Sequence, residues 1–132
     1  MKSLLRALLV LCALSLSSCR QSAQPTPTPD PDIQLEWLRD DAPLHVGMDA
    51  LVFLLKNGRA EPIRGAVIEV RGDMTHAGMV PVNSKAEGGT EDGRYVVPFQ
   101  WTMGGDWIVT VRATLPDGRI AQRRYEVQVR TP

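Results

Sequence analysis

The sequence predicts an all-β domain, an immunoglobulin-like β-sandwich of about seven strands. Three observations predict it. Apolar and polar residues alternate over short runs, as at Tyr95, Val97, Phe99 and Trp101, the period-two signature of a half-buried strand. Gly, Pro and Asn-Gly or Asp-Gly clusters interrupt those runs at the close intervals a sandwich requires. No stretch beyond the first residues carries a convincing helical pattern.

The elements follow in order. Ile33, Leu35 and Trp37 alternate with Gln34 and Glu36, which predicts a first strand. The turn-rich APLHVGMDA follows. Ala50–Lys56 (ALVFLLK) is apolar at consecutive positions, as expected of a central strand, and it stops at Asn57-Gly58, a turn signal. Ala66–Arg71 places Ala66, Ile68 and Val70 on one face. Val80–Lys85 reads as an edge strand, because Pro81 has no amide proton for a ladder. Arg94–Trp101 points Tyr95, Val97, Phe99 and Trp101 inward. Gly104-Gly105-Asp106 is expected to be a tight hairpin turn. Trp107–Ala113 then shares one face between Trp107, Val109, Val111 and Ala113. Pro116-Asp117-Gly118-Arg119 closes a second hairpin, and Ile120–Arg130 is the last strand.

What precedes the strands is of another kind. The chain has 132 residues, room for one domain. Residues 1–18 hold Lys2 and Arg6 before an apolar run from Ala7 to Leu16, shorter than the roughly 20 residues that a membrane-spanning helix needs. They read as an export signal, to be kept out of fold reasoning. The signal ends in LSSC, which resembles the bacterial lipobox and marks Cys19 as the lipidation site. Several acyl chains on Cys19 would anchor the chain to a membrane, each buried CH₂ contributing about 0.8 kcal/mol. Residues 19–32 contain RQSAQPTPTPDPD, a Pro-rich tether of extended, polyproline II character. The folded domain is expected over residues 33–132, exported to the periplasmic or extracellular face of a cell envelope.

Cysteine and charge exclude several classes. Cys12 leaves with the signal and Cys19 carries lipid, so no thiol remains for a disulfide or a metal. Removing Lys2 and Arg6 leaves 13 basic and 15 acidic side chains. The densest basic cluster is Arg119, Arg123 and Arg124, too sparse for a nucleic-acid surface. Enzymatic chemistry finds no support either. The serines lack a His at a recognisable spacing, and Asp40-Asp41 and Glu91-Asp92 read as solvated turns.

The stretch DMTHAGMVP, Asp73–Pro81, raises the functional question. In an extended chain Met74 and His76 point the same way, about 7 Å apart. Gly78 lets the chain turn back and bring Met79 toward them. Met103, in WTMGGDW between Trp101 and Trp107, is a fourth candidate at the tip of the expected hairpin. Thioether and imidazole donors without carboxylate suit copper, Cu(I) above all. A second reading stands beside this one: Met74 caps the core, Met79 fills a gap under its loop, and Met103 packs on a Trp ring. His45 and Met48 form a weaker pair that nothing in the sequence ties to the first group. Trp37, Trp101 and Trp107 sit at inward positions, so core packing rather than a sugar-stacking platform is expected.

Three features together resemble the YtkA-like domain family: the Met74/His76/Met79 segment; Gly93-Arg94-Tyr95 opening a strand; and Trp101, Met103, Gly105 and Trp107. The resemblance covers about Pro43 to Val129. It implies an Ig-like domain of the bacterial envelope, similar to FixH and to copper-handling CopC-type domains. By that resemblance Met74, His76, Met79 and Met103 are the metal ligands. The partners implied are copper-handling or respiratory-complex assembly proteins. The alternative is a metal-free protein-binding module of the envelope.

Overall fold

The computed structural model describes residues 28–132. Among them are eight strands and no helix, arranged as two facing sheets. The smaller sheet contains β1 (Gln34–Leu38), β3 (Gly47–Lys56) and β6 (Arg94–Trp101), antiparallel in the order β1-β3-β6. The larger contains β2 (Leu44–His45), β4 (Val67–Met74), β5 (Val82–Glu87), β7 (Gly105–Thr114) and β8 (Ile120–Arg130), in the order β2-β8-β7-β4-β5. The sandwich is the one predicted. The additional strand is β2, which pairs in parallel with the end of β8 over two residues and is too short to carry a periodic signal.

The alternating side chains meet between the sheets. Leu35, Trp37, Leu51, Phe53, Leu55, Tyr95, Val97, Phe99 and Trp101 come from one sheet. Ile68, Val70, Trp107, Val109, Val111, Ala113, Val127 and Val129 come from the other; all are buried. Every buried apolar side chain in the described region falls between Ile33 and Val129. Residues 28–132 thus carry a complete core, the condition for folding as a unit. The predicted edge strand is an edge: β5 pairs only with β4, and Ser84 Oγ donates to the Pro98 carbonyl across the open side of the sandwich.

One connection differs from expectation. The Trp101 and Trp107 strands do not form a hairpin, because β6 lies in the three-stranded sheet and β7 in the five-stranded one. Residues 102–104 carry the chain from sheet to sheet, a step of about 10 Å. The geometry needs small residues. A Cβ on Gly104 would stand 2.9 Å from Thr131 Oγ1, and Gly105 has φ +135°, a backbone that L side chains rarely adopt.

The two ends of the sandwich are unlike. At one, which we call the entry pole, Asp30 N–H donates to the Ile120 carbonyl at 2.8 Å and the Asp30 carboxylate pairs with Arg119 at 3.3 Å. The 57–66, 88–93 and 115–119 connections lie there too. The expected signal sequence, Cys19 and most of the tether lie outside the described residues.

Tyr95 ties the entry pole together. Its hydroxyl donates to the Ile63 carbonyl at 2.8 Å and accepts from Ala66 N–H at 3.2 Å, clasping the segment that crosses from β3 to β4. Tyr95→Phe leaves both backbone groups without this partner, and Ala66 is fully buried. The expected loss is about 1–3 kcal/mol, read as a lower urea midpoint at unchanged m-value.

Candidate metal centre

The far pole gathers the ends of β4, β6 and β8 with the starts of β3, β5 and β7. Both histidines of the chain, His45 and His76, are at this pole. So are all the methionines after Met1: Met48, Met74, Met79 and Met103. None lies at the entry pole.

An aromatic floor supports it. Phe99, Trp101 and Trp107 are buried, with Phe99–Trp101 centroids 4.8 Å apart and Trp101–Trp107 centroids 5.4 Å apart, both edge to face. Each indole N–H has a partner, as a buried polar group must. Trp101 donates to Asp49 Oδ2 at 3.0 Å, and Trp107 donates to the Met103 carbonyl at 3.1 Å. The second bond fixes the backbone of the crossing segment against the floor.

The strand β4 runs past its predicted end, through Gly72 to Met74. Gly72 is buried because aromatic rings occupy its side-chain space: a Cβ there would be 2.6 Å from Phe99 Cζ and 3.2 Å from the Trp107 ring. Met74 lies directly opposite Trp107 in the ladder and packs half-buried against the core. Thr75 N–H donates to the Asp106 carbonyl at 3.1 Å, holding the chain to β7 for one more residue. His76 and Met74 both reach Gly105. A point one Cβ bond above Gly105 lies 3.1 Å from Met74 Cε and 3.9 Å from His76 Cε1. The bare Gly105 backbone makes room for the Met74 methyl, while His76 would be in ordinary contact with a Cβ there.

Met103 is exposed on the crossing segment two residues before Gly105, its carbonyl on Trp107. Met79 is exposed in the loop 75–81, where Gly78 (φ +83°) reverses the chain. The structure thus places Met74 and His76 both beside Gly105, puts Met103 on the adjoining segment, and leaves Met79 at the solvent side of its loop. Met48 points outward from β3, one residue from Gly47, which pairs with Trp101. His45 is exposed on β2.

No group of three His, Cys, Asp or Glu side chains converges among the described residues. Asp73, the nearest carboxylate in sequence, is engaged by Arg71 at 2.8 Å, which raises the Arg71 pKa. A depression of about 400 Å³ on the outer face of the large sheet is lined by Glu69, Arg71, Lys85 and Arg112 among others. It contains neither Met nor His.

The model of the YtkA-like family matches residues 32–112. The chain belongs to the YtkA-like family. No curated protein matches it. Among solved structures it is similar to a superoxide reductase (neelaredoxin) variant from Ignicoccus hospitalis. That match has a TM-score of 0.53 at 9% identity, over 73% of this chain and 79% of the other. It is also similar to the PmoD soluble domain from Methylocystis sp. strain Rockwell, with a TM-score of 0.44 at 13% identity, over 74% and 90%. Murine CRIg gives a TM-score of 0.40 at 12% identity, over 76% and 98%. At such identities the first of these speaks for the fold alone. The matched stretch of this YtkA-like chain includes Met74, His76, Met79 and Met103.

Proposed function

We propose that this YtkA-like chain is a lipid-anchored envelope protein that holds Cu(I) at its far pole, for delivery or sequestration, and catalyses no reaction. One observation carries the reading: the Met74 and His76 side chains both reach Gly105, at the pole that collects every His and every later Met of the chain. Thioether sulfur and neutral imidazole are a donor set that favours Cu(I) over harder ions. Met74 and His76 would form the inner pair, and Met103 and Met79 would close over them from the crossing segment and the loop. The resemblance to CopC-type copper-handling domains points the same way. Bound copper would supply a soft cation for transfer; the protein would supply a water-shielding aromatic floor and an open approach.

The anchor suits this use. The chain enters the domain at the entry pole, where Asp30 contacts Ile120 and Arg119. A tether from Cys19 would therefore present the Met/His pole away from the membrane, toward a copper-handling or respiratory-assembly partner. Cys19→Ala is expected to move the exported full chain from the membrane fraction to the soluble one.

The deciding experiment is Cu(I) titration of residues 28–132 against a competing chelator. One equivalent should bind. His76→Ala and Met74→Leu should each weaken binding at least tenfold, the second with little change in packed volume. Binding no stronger than that of a Met-poor control would overturn the copper reading.

A further inference from the structure

The outer face of the three-stranded sheet is apolar, and none of the other described strands covers it. Across its strands, rows of facing residues read Leu38·Val52·Val96, then Ala50·Pro98, then Met48·Gln100. Val96 is 55% exposed and Met48 71% exposed. An outward sheet face normally carries polar side chains, and a contiguous apolar patch marks a contact surface. We propose that this face is where two copies of the chain associate, sheet against sheet, about a two-fold axis running along β3.

Charge complementarity selects a second copy, and it selects the axis. The row next to the apolar ones is Glu36·Leu54·Arg94. Glu36 is on one outer strand, Arg94 on the other, and β3 lies between them. A two-fold axis along β3 places the β1 of each copy over the β6 of its partner at the same height. Glu36 of each copy then faces Arg94 of the other, adding a second carboxylate to the guanidinium that Asp92 already pairs at 2.9 Å, while Val52 meets its own counterpart. That is an isologous interface, with the aligned packing usual for two sheets about 10 Å apart. The same operation leaves both residue-28 ends at one side and both Met/His poles at the other. Two chains tethered to one membrane can therefore form the dimer without crossing their tethers.

The contact is small. Three strands at about 4.8 Å spacing and about eight residues at about 3.3 Å each give a face of roughly 400 Å² per copy, about half a standard interface side. Association should therefore be weak in dilute solution and gain from confinement to a membrane. Lys56 lies on the axis, where it faces its own copy and opposes association. Lys56→Gln should tighten the dimer.

The test is sedimentation equilibrium of residues 28–132 up to millimolar concentration, with a chelator present so that the outcome does not depend on copper. The mean mass should rise toward that of a dimer. Val96→Glu should abolish the rise. Glu36→Arg and Arg94→Glu should each weaken association at least tenfold, and the chain carrying both should return to within threefold of the parent. All these positions are solvent-facing, and unchanged melting temperatures verify that the variants fold. A monomer at every concentration overturns the proposal, as does a double variant no tighter than the singles. Val96-dependent binding of the monomer to phospholipid vesicles would also overturn it, assigning the face to lipid instead.

Discussion

Trp107→Ala should be the most damaging single substitution in this domain. The indole is almost fully buried, stacks edge to face on Trp101 and Phe99, and donates to the Met103 carbonyl. Removing it opens a large cavity where both sheets meet, and such Trp→Ala changes cost about 3–5 kcal/mol. A domain of this size has about 5–15 kcal/mol in total, so the melting temperature should fall by about 15 °C or more. Trp107→Phe separates the two contributions. It keeps much of the ring packing and removes only the N–H donor, so it should cost far less stability while releasing the 102–104 segment. If the Met103 carbonyl bond positions the far pole, Trp107→Phe should weaken Cu(I) binding more than its stability loss implies. Equal Cu(I) affinity in parent and Trp107→Phe would show that the Met103 segment does not contribute.

Much of this architecture was legible because the alternation is clean. Strands β6 and β8 begin and end where the period-two pattern and its turn residues place them. Where the pattern misleads, a tertiary contact is responsible. The start of β3 reads as loop because Asp49 breaks the inward apolar series, yet its carboxylate is the partner of the Trp101 indole. The end of β4 reads as a break because Gly72 is a poor strand residue, yet only a residue without Cβ fits beneath Phe99 and Trp107. The Gly104-Gly105 pair reads as a hairpin turn, because a short Gly-rich link between two alternating runs is the local signal for one. That the two runs belong to different sheets is a matter of global pairing, which no local pattern contains.

The gathering of Met and His at one pole was partly within reach. Antiparallel strands alternate direction, so successive long connections alternate poles. His45 and Met48, the Met74–Met79 segment, and Met103 belong to every second connection. The Asn57-Gly58, Gly88–Gly93 and Pro116–Gly118 turns belong to the others. Counting connections would have tied His45 and Met48 to the same end. It could not have shown that Met48 points outward from the small sheet while Met74 points between the sheets. The apolar outer face was also present in ALVFLLK. Leu51, Phe53 and Leu55 fill the core, so the intervening Ala50, Val52 and Leu54 are left on the outside.

Gly72→Ala should show how tightly the far pole depends on the floor beneath it. The added methyl would stand 2.6 Å from Phe99 Cζ, too close for any real contact. Phe99 cannot simply move, because its ring sits 4.8 Å from that of Trp101. Nor can β4 shift alone, since it is paired on both sides, to β5 and to β7. Overpacking of this kind costs about 1–3 kcal/mol, although alanine at an exposed strand position would cost nothing comparable. Phe99→Leu alone should also destabilise, by opening a cavity. Combined with Gly72→Ala it should cost less than the sum of the two, because the smaller side chain makes room for the methyl. A double-mutant cycle in chemical denaturation measures this coupling, and strict additivity would mean that the strain is relieved elsewhere. Cu(I) binding gives the second readout. Met74 is two residues along the same strand face and opposite Trp107, so displacement of the strand or of the indole moves its thioether relative to His76. Gly72→Ala should therefore weaken copper binding without touching any ligand, and the Phe99→Leu partner should restore part of it.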